Sequence, residues 1–297
     1  MLLALGFGFT ARALSARWRA RGMNVVGTLR NISRENEFDA AAREIPCVAL
    51  GADTPLDAVQ SAVAASTHVL VSIPPDESAA PAADVALARL APAFATAHNI
   101  LWLGYLSTTG VYGDRAGGWV DETSERRPGN ARSRRRAAAE DAWLALWRDR
   151  GVPVHVFRLA GIYGPGRSAI DHLRAGTAKR IDKPGQIFSR IHVEDIAGVL
   201  EASIARPRPG AIYNVADDAP APAHEVVAHA AKLLGIAPPP LEPHDPERLS
   251  PMAREFYAET RRVRNERIKQ ELGVTLRYPD YKAGLAAILA AERTSGV

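Results

Sequence analysis

Residues 2–11 read Leu-Leu-Ala-Leu-Gly-Phe-Gly-Phe-Thr-Ala, an apolar run that breaks into the pattern G-x-G-x-x-A. Few openings constrain a fold as tightly. Successive apolar residues predict a strand covered on both faces, and a chain that turns at once into a helix needs glycine where the backbone bends. Gly6 permits the tight turn, Gly8 lets the backbone approach a pyrophosphate, and Ala11 is small enough for helix and strand to touch. Phe9 and Thr10 complete the turn as candidate cofactor contacts, and the N–H groups of the helix that follows then face the phosphates. Such a turn also occurs as a plain structural connection, so its meaning depends on the segments downstream.

Those segments alternate. Strands are predicted at Leu2 to Leu5, Asn24 to Leu29, Pro46 to Leu50, His68 to Ile73, Ile100 to Leu103 and Val154 to Leu159. Between them lie helical stretches at Ala11 to Arg21, Leu56 to Ala65, Asp84 to His98 and Ala137 to Trp147. Alternating strands and helices imply an α/β fold, a doubly wound parallel sheet of Rossmann type. The second half is less regular. Helices are predicted at Ile170 to Ala175, Asp195 to Ala205, Ala223 to Leu234, Arg262 to Leu272 and Tyr281 to Ala291, with a strand at Ala211 to Val215. The expected organisation is a dinucleotide-binding domain over 1–165 and a small C-terminal cap over 166–297. The strand near 211–215 would return to the first domain's sheet.

The strand-two end bears on which dinucleotide fits. An NAD site places Asp or Glu there to accept the ribose 2′-hydroxyl. Here the strand ends Gly27-Thr28-Leu29-Arg30-Asn31, with no carboxylate until Glu35. Arg30 is expected to pair with a 2′-phosphate, Thr28 to add a hydroxyl, and Arg34 to stand as a second cation. NADP is therefore expected ahead of NAD. Asp53, past strand three, and Ile73 and Pro74, at the end of strand four, complete the expected cofactor contacts.

Composition narrows the alternatives. The single cysteine, Cys47, excludes an internal disulfide and fits a cytoplasmic setting; in Ile45 to Leu50 it reads as a small strand residue. No apolar run approaches the roughly 20 residues of a membrane span. Met1 to Phe9 has no basic n-region and reads as a strand. No cluster has metal-ligand spacing, and no metal is expected. The arginines at 126, 127, 132 and 134–136 form a basic cluster. With no interleaved aromatics for base stacking, it reads as a charged loop leading into a helix, and no nucleic-acid partner is expected.

Beyond the turn, several segments carry a resemblance. Leu106-Ser-Thr-Thr-Gly-Val-Tyr-Gly-Asp114, then Val120-Asp-Glu122, then Arg158-Leu-Ala-Gly-Ile-Tyr-Gly-Pro165 occur in order. After them come Ile191-His-Val-Glu-Asp-Ile-Ala197, Tyr213-Asn-Val-Ala216 and the run from Asn265 to Gly273. Their sequence and spacing resemble the extended short-chain dehydrogenases/reductases, in the NAD-dependent epimerase/dehydratase branch, along nearly the whole chain. The resemblance implies a cofactor along the strand C-termini, a substrate cap, and Thr108 as the hydroxyl that binds the reacting oxygen. It also implies a Tyr-x-x-x-Lys pair about 20 residues after Tyr112.

That pair is missing. Counting back from Glu140, Arg136 falls on the lysine position and Arg132 on the tyrosine position, and no Tyr or Lys lies between Tyr112 and Tyr163. Arg136 can still hold ribose hydroxyls. Arg132 stays charged and cannot exchange a proton, but it can clamp a carboxylate or phosphate. Tyr163 and Tyr112, with Tyr105 behind them, are the candidate proton donors; each also fits a packed aromatic at a strand end. Arg167 and Arg190 are expected to meet an anionic substrate. The chain thus reads as an oxidoreductase or epimerase-like enzyme for a small polar carbonyl or hydroxyl compound, such as a sugar derivative. The alternative is a non-catalytic NADP-binding sensor or scaffold. A homodimer is expected through the helices at Asp84 to His98 and Ala137 to Trp147, because Trp143, Leu144 and Trp147 give the second an unusually apolar surface.

Overall fold

The computed structural model describes residues 1–32, 44–75 and 84–295. The chain divides into two compact units. Unit 1 comprises Met1–Thr108, Ala131–Arg158 and Ala197–Tyr213, and unit 2 comprises Thr109–Asn130, Leu159–Ile196 and Asn214–Val297.

The central sheet runs through β1 (Leu2–Leu5), β2 (Val25–Leu29), β3 (Cys47–Ala49), β4 (His68–Val71), β5 (Trp102–Thr108), β7 (Val154–Leu159) and β11 (Ile212–Val215). The two-residue strand β6 (Trp119–Val120) lies outside it. The order is β11-β7-β5-β4-β1-β2-β3, and β1 pairs in parallel with β2 and β4, β2 with β3, and β4 with β5. This is the expected doubly wound parallel sheet. Its order reverses beside β1, where open α/β sheets bind ligands at their strand C-termini. All four β1 residues are fully buried, as an interior strand of a sheet covered on both faces must be.

Helices α1 (Phe9–Arg19), α2 (Asp57–Ala65), α3 (Val85–Thr96) and α4 (Ala131–Arg150) belong to unit 1. Its core packs Leu3, Val69, Phe94, Tyr105 and Trp143 among other apolar side chains. Helix α4 begins at Ala131 and not at Ala137, because alanine and arginine sustain a helix well before the apolar period becomes visible. Trp143 is fully buried inside this unit, edge-on to Phe94 and stacked on Tyr105. Trp147 is only partly exposed and packs against the same core. Leu144 is likewise half-buried, so the apolar surface from which a dimer was expected is used only in part within one chain.

Unit 2 holds β8 (Gly161–Tyr163), α5 (Ala169–Arg174), β9 (Arg180–Asp182) and β10 (Arg190–His192). The helix α6 (Val193–Ala205) leads from it back into unit 1, ahead of β11. Later come α7 (Ala223–Leu234), β12 (Leu241–Pro243), α8 (Pro251–Ala258), β13 (Arg262–Val263), α9 (Glu266–Leu272) and α10 (Tyr281–Ser295). The stretch 262–272, predicted as one helix, is a short strand paired with β6 and then a helix begun at Asn265. Asn265 precedes the helix without capping it, its side-chain amide donating instead to the Ala216 carbonyl and Asp218. The unit's core gathers Tyr163, Ile170, Val226, Tyr281, Leu285 and Ile288.

Candidate functional site

The glycine turn is held from two neighbouring strands. Gly6 adopts φ +85°, where side chains are strained, and a Cβ there would approach Ile73 Cγ1 to 2.9 Å. Its N–H donates to Thr28 Oγ1 at 2.9 Å, and the next N–H, from Phe7, donates to the Thr28 carbonyl at 2.9 Å. Ser72 Oγ donates to the Gly6 carbonyl at 2.5 Å. Thr28 is 1% exposed, so its hydroxyl braces the turn and does not face outward toward a 2′-phosphate.

Gly8 is different. It is exposed, and among the described residues a Cβ placed on it would meet no atom within 4 Å beyond its two chain neighbours. Packing among the described residues therefore does not require glycine at this position. It starts α1, whose first turn has no side-chain cap and no acidic residue. A helix start left in that condition suits an anion, and a glycine that such packing does not need suits a ligand approaching the backbone. Phe9 is half-buried, and Thr10 and Ala11 are buried, Ala11 completely, as close packing of helix on strand requires.

Around this turn the parallel sheet sets further candidates at the carboxyl ends of its strands. Arg30, past β2, is exposed, with no hydrogen bond or ion pair among the described residues. Arg34 lies outside the described residues. Asp53 and Pro74 are exposed, and Ile73 is half-buried. Thr108 ends β5, half-buried.

Beside β5, α4 carries the two arginines that stand at the tyrosine and lysine positions. Arg132 is exposed in the first turn. Arg136 is half-buried, and its Nη1 donates to the Leu106 carbonyl at 2.9 Å and to Tyr105 Oη at 3.2 Å. One turn on, Glu140 is fully buried. It accepts from Ser107 Oγ at 2.5 Å and from Arg158, whose Nη2 reaches Oε2 at 2.8 Å. This buried Ser107–Glu140–Arg158 cluster fixes α4 against β5 and β7. Glu140 and Arg158 serve as landmarks in the sequence, but their pairing was missed there; opposite charges at two strongly patterned positions were the available signal.

The remaining candidates belong to unit 2. Tyr112 is fully buried, and its hydroxyl donates to Asn214 Oδ1 at 2.7 Å. The hydroxyl expected to exchange protons is thus spent in the interior. Tyr163 is 8% exposed, and its hydroxyl lies 3.3 Å from the Asp280 carbonyl. A Cβ at Gly284 would collide with its ring. Burial, aided by the carboxylates of Asp217, Asp195 and Asp280, pushes the Tyr163 phenol far above its usual range. Tyr163 is accordingly a packed aromatic, and Tyr105, fully buried, is pushed up by burial as well. Arg190 turns inward too, donating from Nη1 to the carbonyls of Phe188 (2.9 Å) and Ala221 (2.8 Å). Arg167 alone of the two cap arginines is exposed, on the tight turn that pairs Gly164 with Arg167.

Asp217 is a feature that the sequence did not announce. It is 1% exposed, one of its oxygens has no hydrogen-bond partner among the described residues, and burial pushes its carboxyl up to about 8 against the pull of Arg190. Among the described residues no group of His, Cys, Asp and Glu could hold a metal ion, and no helix is long and apolar enough to cross a membrane.

Comparison with known proteins places this geometry. The model of the NAD dependent epimerase/dehydratase family matches residues 3–216. A solved structure of a conserved protein of unknown function from Silicibacter pomeroyi DSS is 48% identical, with 98% of each chain covered and a TM-score of 0.87. Protein YeeZ of Escherichia coli K12 is 36% identical over 149 residues, a match spanning 49% of this chain and about half of that protein, 50%. The UDP-glucose 4-epimerase of Thermus thermophilus, solved as a complex with NAD, shares the fold at 18% identity, with 99% of each chain covered and a TM-score of 0.77.

Proposed function

Because the chain belongs to the NAD dependent epimerase/dehydratase family, we propose that it binds a nicotinamide dinucleotide, NADP ahead of NAD, along the carboxyl-terminal edge of the unit 1 sheet. There it acts as an oxidoreductase or epimerase-like enzyme on a small polar carbonyl or hydroxyl compound, a sugar derivative being the class that fits the family. When bound, the dinucleotide supplies or accepts hydride at its nicotinamide ring. The observation that carries the reading is the pair of glycines. Gly6 is required by the turn, while no packing contact among the described residues requires Gly8, which lies at an uncapped helix start.

The chain's own residues divide the remaining work. The turn and the first N–H groups of α1 bind the pyrophosphate. Arg30 pairs with a 2′-phosphate, and Arg136 holds ribose hydroxyls. Thr108 hydrogen-bonds the reacting oxygen and orients it. Arg132 cannot accept a proton at neutral pH, so it serves as a clamp for a carboxylate or phosphate on the substrate. With Tyr112 and Tyr163 committed to interior contacts, a water bound at Thr108 gives the developing alkoxide its proton and takes one back from bulk solvent.

Calorimetric titration with NADPH, NADP, NADH and NAD, followed by NADPH oxidation across a carbonyl and nucleotide-sugar panel, tests this. Absence of binding by all four would end the reading. Binding without turnover across the panel would favour a second one, a non-catalytic sensor of the dinucleotide or a scaffold, for which Arg132 at the family's tyrosine position already speaks.

A further inference from the structure

Arg136 stands where the family resemblance puts lysine, and its guanidinium is tethered. Both of its hydrogen bonds among the described residues leave from Nη1, one to the Leu106 carbonyl and one to Tyr105 Oη. A guanidinium carries five N–H donors, so the three on Nε and Nη2 remain for a ligand. An ammonium has three in all, and the same anchor would leave it only one for a ligand.

Tyr105 supplies one half of that anchor at a cost. It is fully buried in the unit 1 core, stacked on Trp143 with ring centroids 5.8 Å apart. A phenylalanine would fill the same space without burying a hydroxyl, and a buried hydroxyl is unfavourable unless it is bonded. Its one hydrogen-bond partner among the described residues is Arg136. Asp84, 1% exposed at the start of α3, adds a countercharge close enough for Arg136 to lower its carboxyl against the rise that burial causes. The polar core here is built around one cation.

We propose that Tyr105 is a positioning residue: with the Leu106 carbonyl, its hydroxyl fixes the Arg136 guanidinium at the end of β5, leaving its other N–H groups for the ribose hydroxyls of the dinucleotide. This rests on the cofactor reading above. Tyr105 has no surface with which to touch a ligand, so it acts only through Arg136.

The test is a double-mutant cycle read by calorimetric titration with NADPH. Tyr105→Phe keeps the ring and its stack on Trp143. It is expected to weaken NADPH binding about tenfold, the scale of one charge-assisted hydrogen bond. In an Arg136→Ala background the same change is expected to have no effect on affinity. Wild-type affinity in Tyr105→Phe, or an equal loss in both backgrounds, overturns the proposal, since a merely structural effect adds independently. Should Tyr105→Phe not fold, Arg136→Lys reads the same geometry: a loss of about tenfold or more supports the anchor, and unchanged affinity overturns it. A wild-type protein that binds no NADPH, NADP, NADH or NAD overturns the cofactor reading and this inference together; binding that ignores Tyr105 overturns only the latter.

Discussion

Arg158 holds Glu140 through two of its nitrogens, Nη2 to Oε2 at 2.8 Å and Nε to Oε1 at 3.1 Å, and neither side chain is more than 3% exposed. Removing one partner leaves the other charge buried and unpaired. Glu140→Ala is therefore expected to cost about 3–5 kcal/mol of stability, read from urea denaturation. The double change Glu140→Gln with Arg158→Met should cost clearly less than Glu140→Ala alone. A small loss in the single variant would show that the pair is not holding α4 to the sheet.

Thr28 braces the glycine turn through its hydroxyl. Thr28→Val keeps the shape and removes the acceptor for the Gly6 N–H. The expected result is a loss of about 1 kcal/mol, because a half-buried N–H loses its partner, together with weaker dinucleotide binding. Thr28→Ser should restore both. Unfolding curves and titrations of the two variants, side by side, decide it.

Arg30 is exposed and unpaired among the described residues. Its loss should leave the fold untouched and fall selectively on one ligand. Arg30→Ala is expected to lower NADP affinity about tenfold or more while NAD affinity holds, since a charge-assisted contact is worth roughly 1.5–3 kcal/mol. Equal wild-type affinities for the two dinucleotides would remove the basis for the preference.

Two hydroxyls close in sequence should behave oppositely. Thr108→Val is expected to lower turnover about 10²-fold or more, with stability near wild type. Tyr112→Phe should leave Asn214 without its donor and cost about 1–3 kcal/mol of stability, with turnover per folded molecule retained. Steady-state rates and melting curves on the same preparations separate these outcomes.

Two buried groups give the stability curve opposing slopes. His155 Nε2 accepts the Arg208 N–H at 2.9 Å, so the ring is neutral, and burial holds its pKa down to about 4 from 6.5. Between those values the unfolded chain binds a proton that the folded chain refuses, so stability falls as pH drops from 6.5 toward 4. Asp217 acts the other way. Its carboxyl, pushed from 3.8 to about 8, keeps a proton in the folded state that the unfolded chain releases, so its contribution is lost as pH rises across that range. His155→Gln should flatten the acid limb, and Asp217→Asn should raise stability at about pH 8 relative to about pH 5. Denaturant midpoints measured across roughly pH 4–9 check both.

Much of the fold was legible because its signals are local. The apolar strand, the glycines at 6 and 8 and the small Ala11 declare a strand–turn–helix within about ten residues, and the repeated alternation declares the parallel sheet. The missing Tyr-x-x-x-Lys pair was equally readable, since Arg132 and Arg136 occupy those places in plain sequence. The boundaries suffered where propensity and period disagree, as at the arginine-rich start of α4.

By itself, then, the sequence determined the sheet, the turn and the residue types offered at the strand ends. Only the tertiary structure decided which of those groups remain available for chemistry. Tyr112 is spent on Asn214, 102 residues away, and Thr28 on Gly6, 22 residues away. Arg190 is drawn inward by two carbonyls, while Arg30 and Arg132 stay exposed. The physical reason is that a hydroxyl or guanidinium has few donors and acceptors, and burial compels each of them to find a partner. Which partner arrives depends on chain segments distant in sequence, and no local pattern records that.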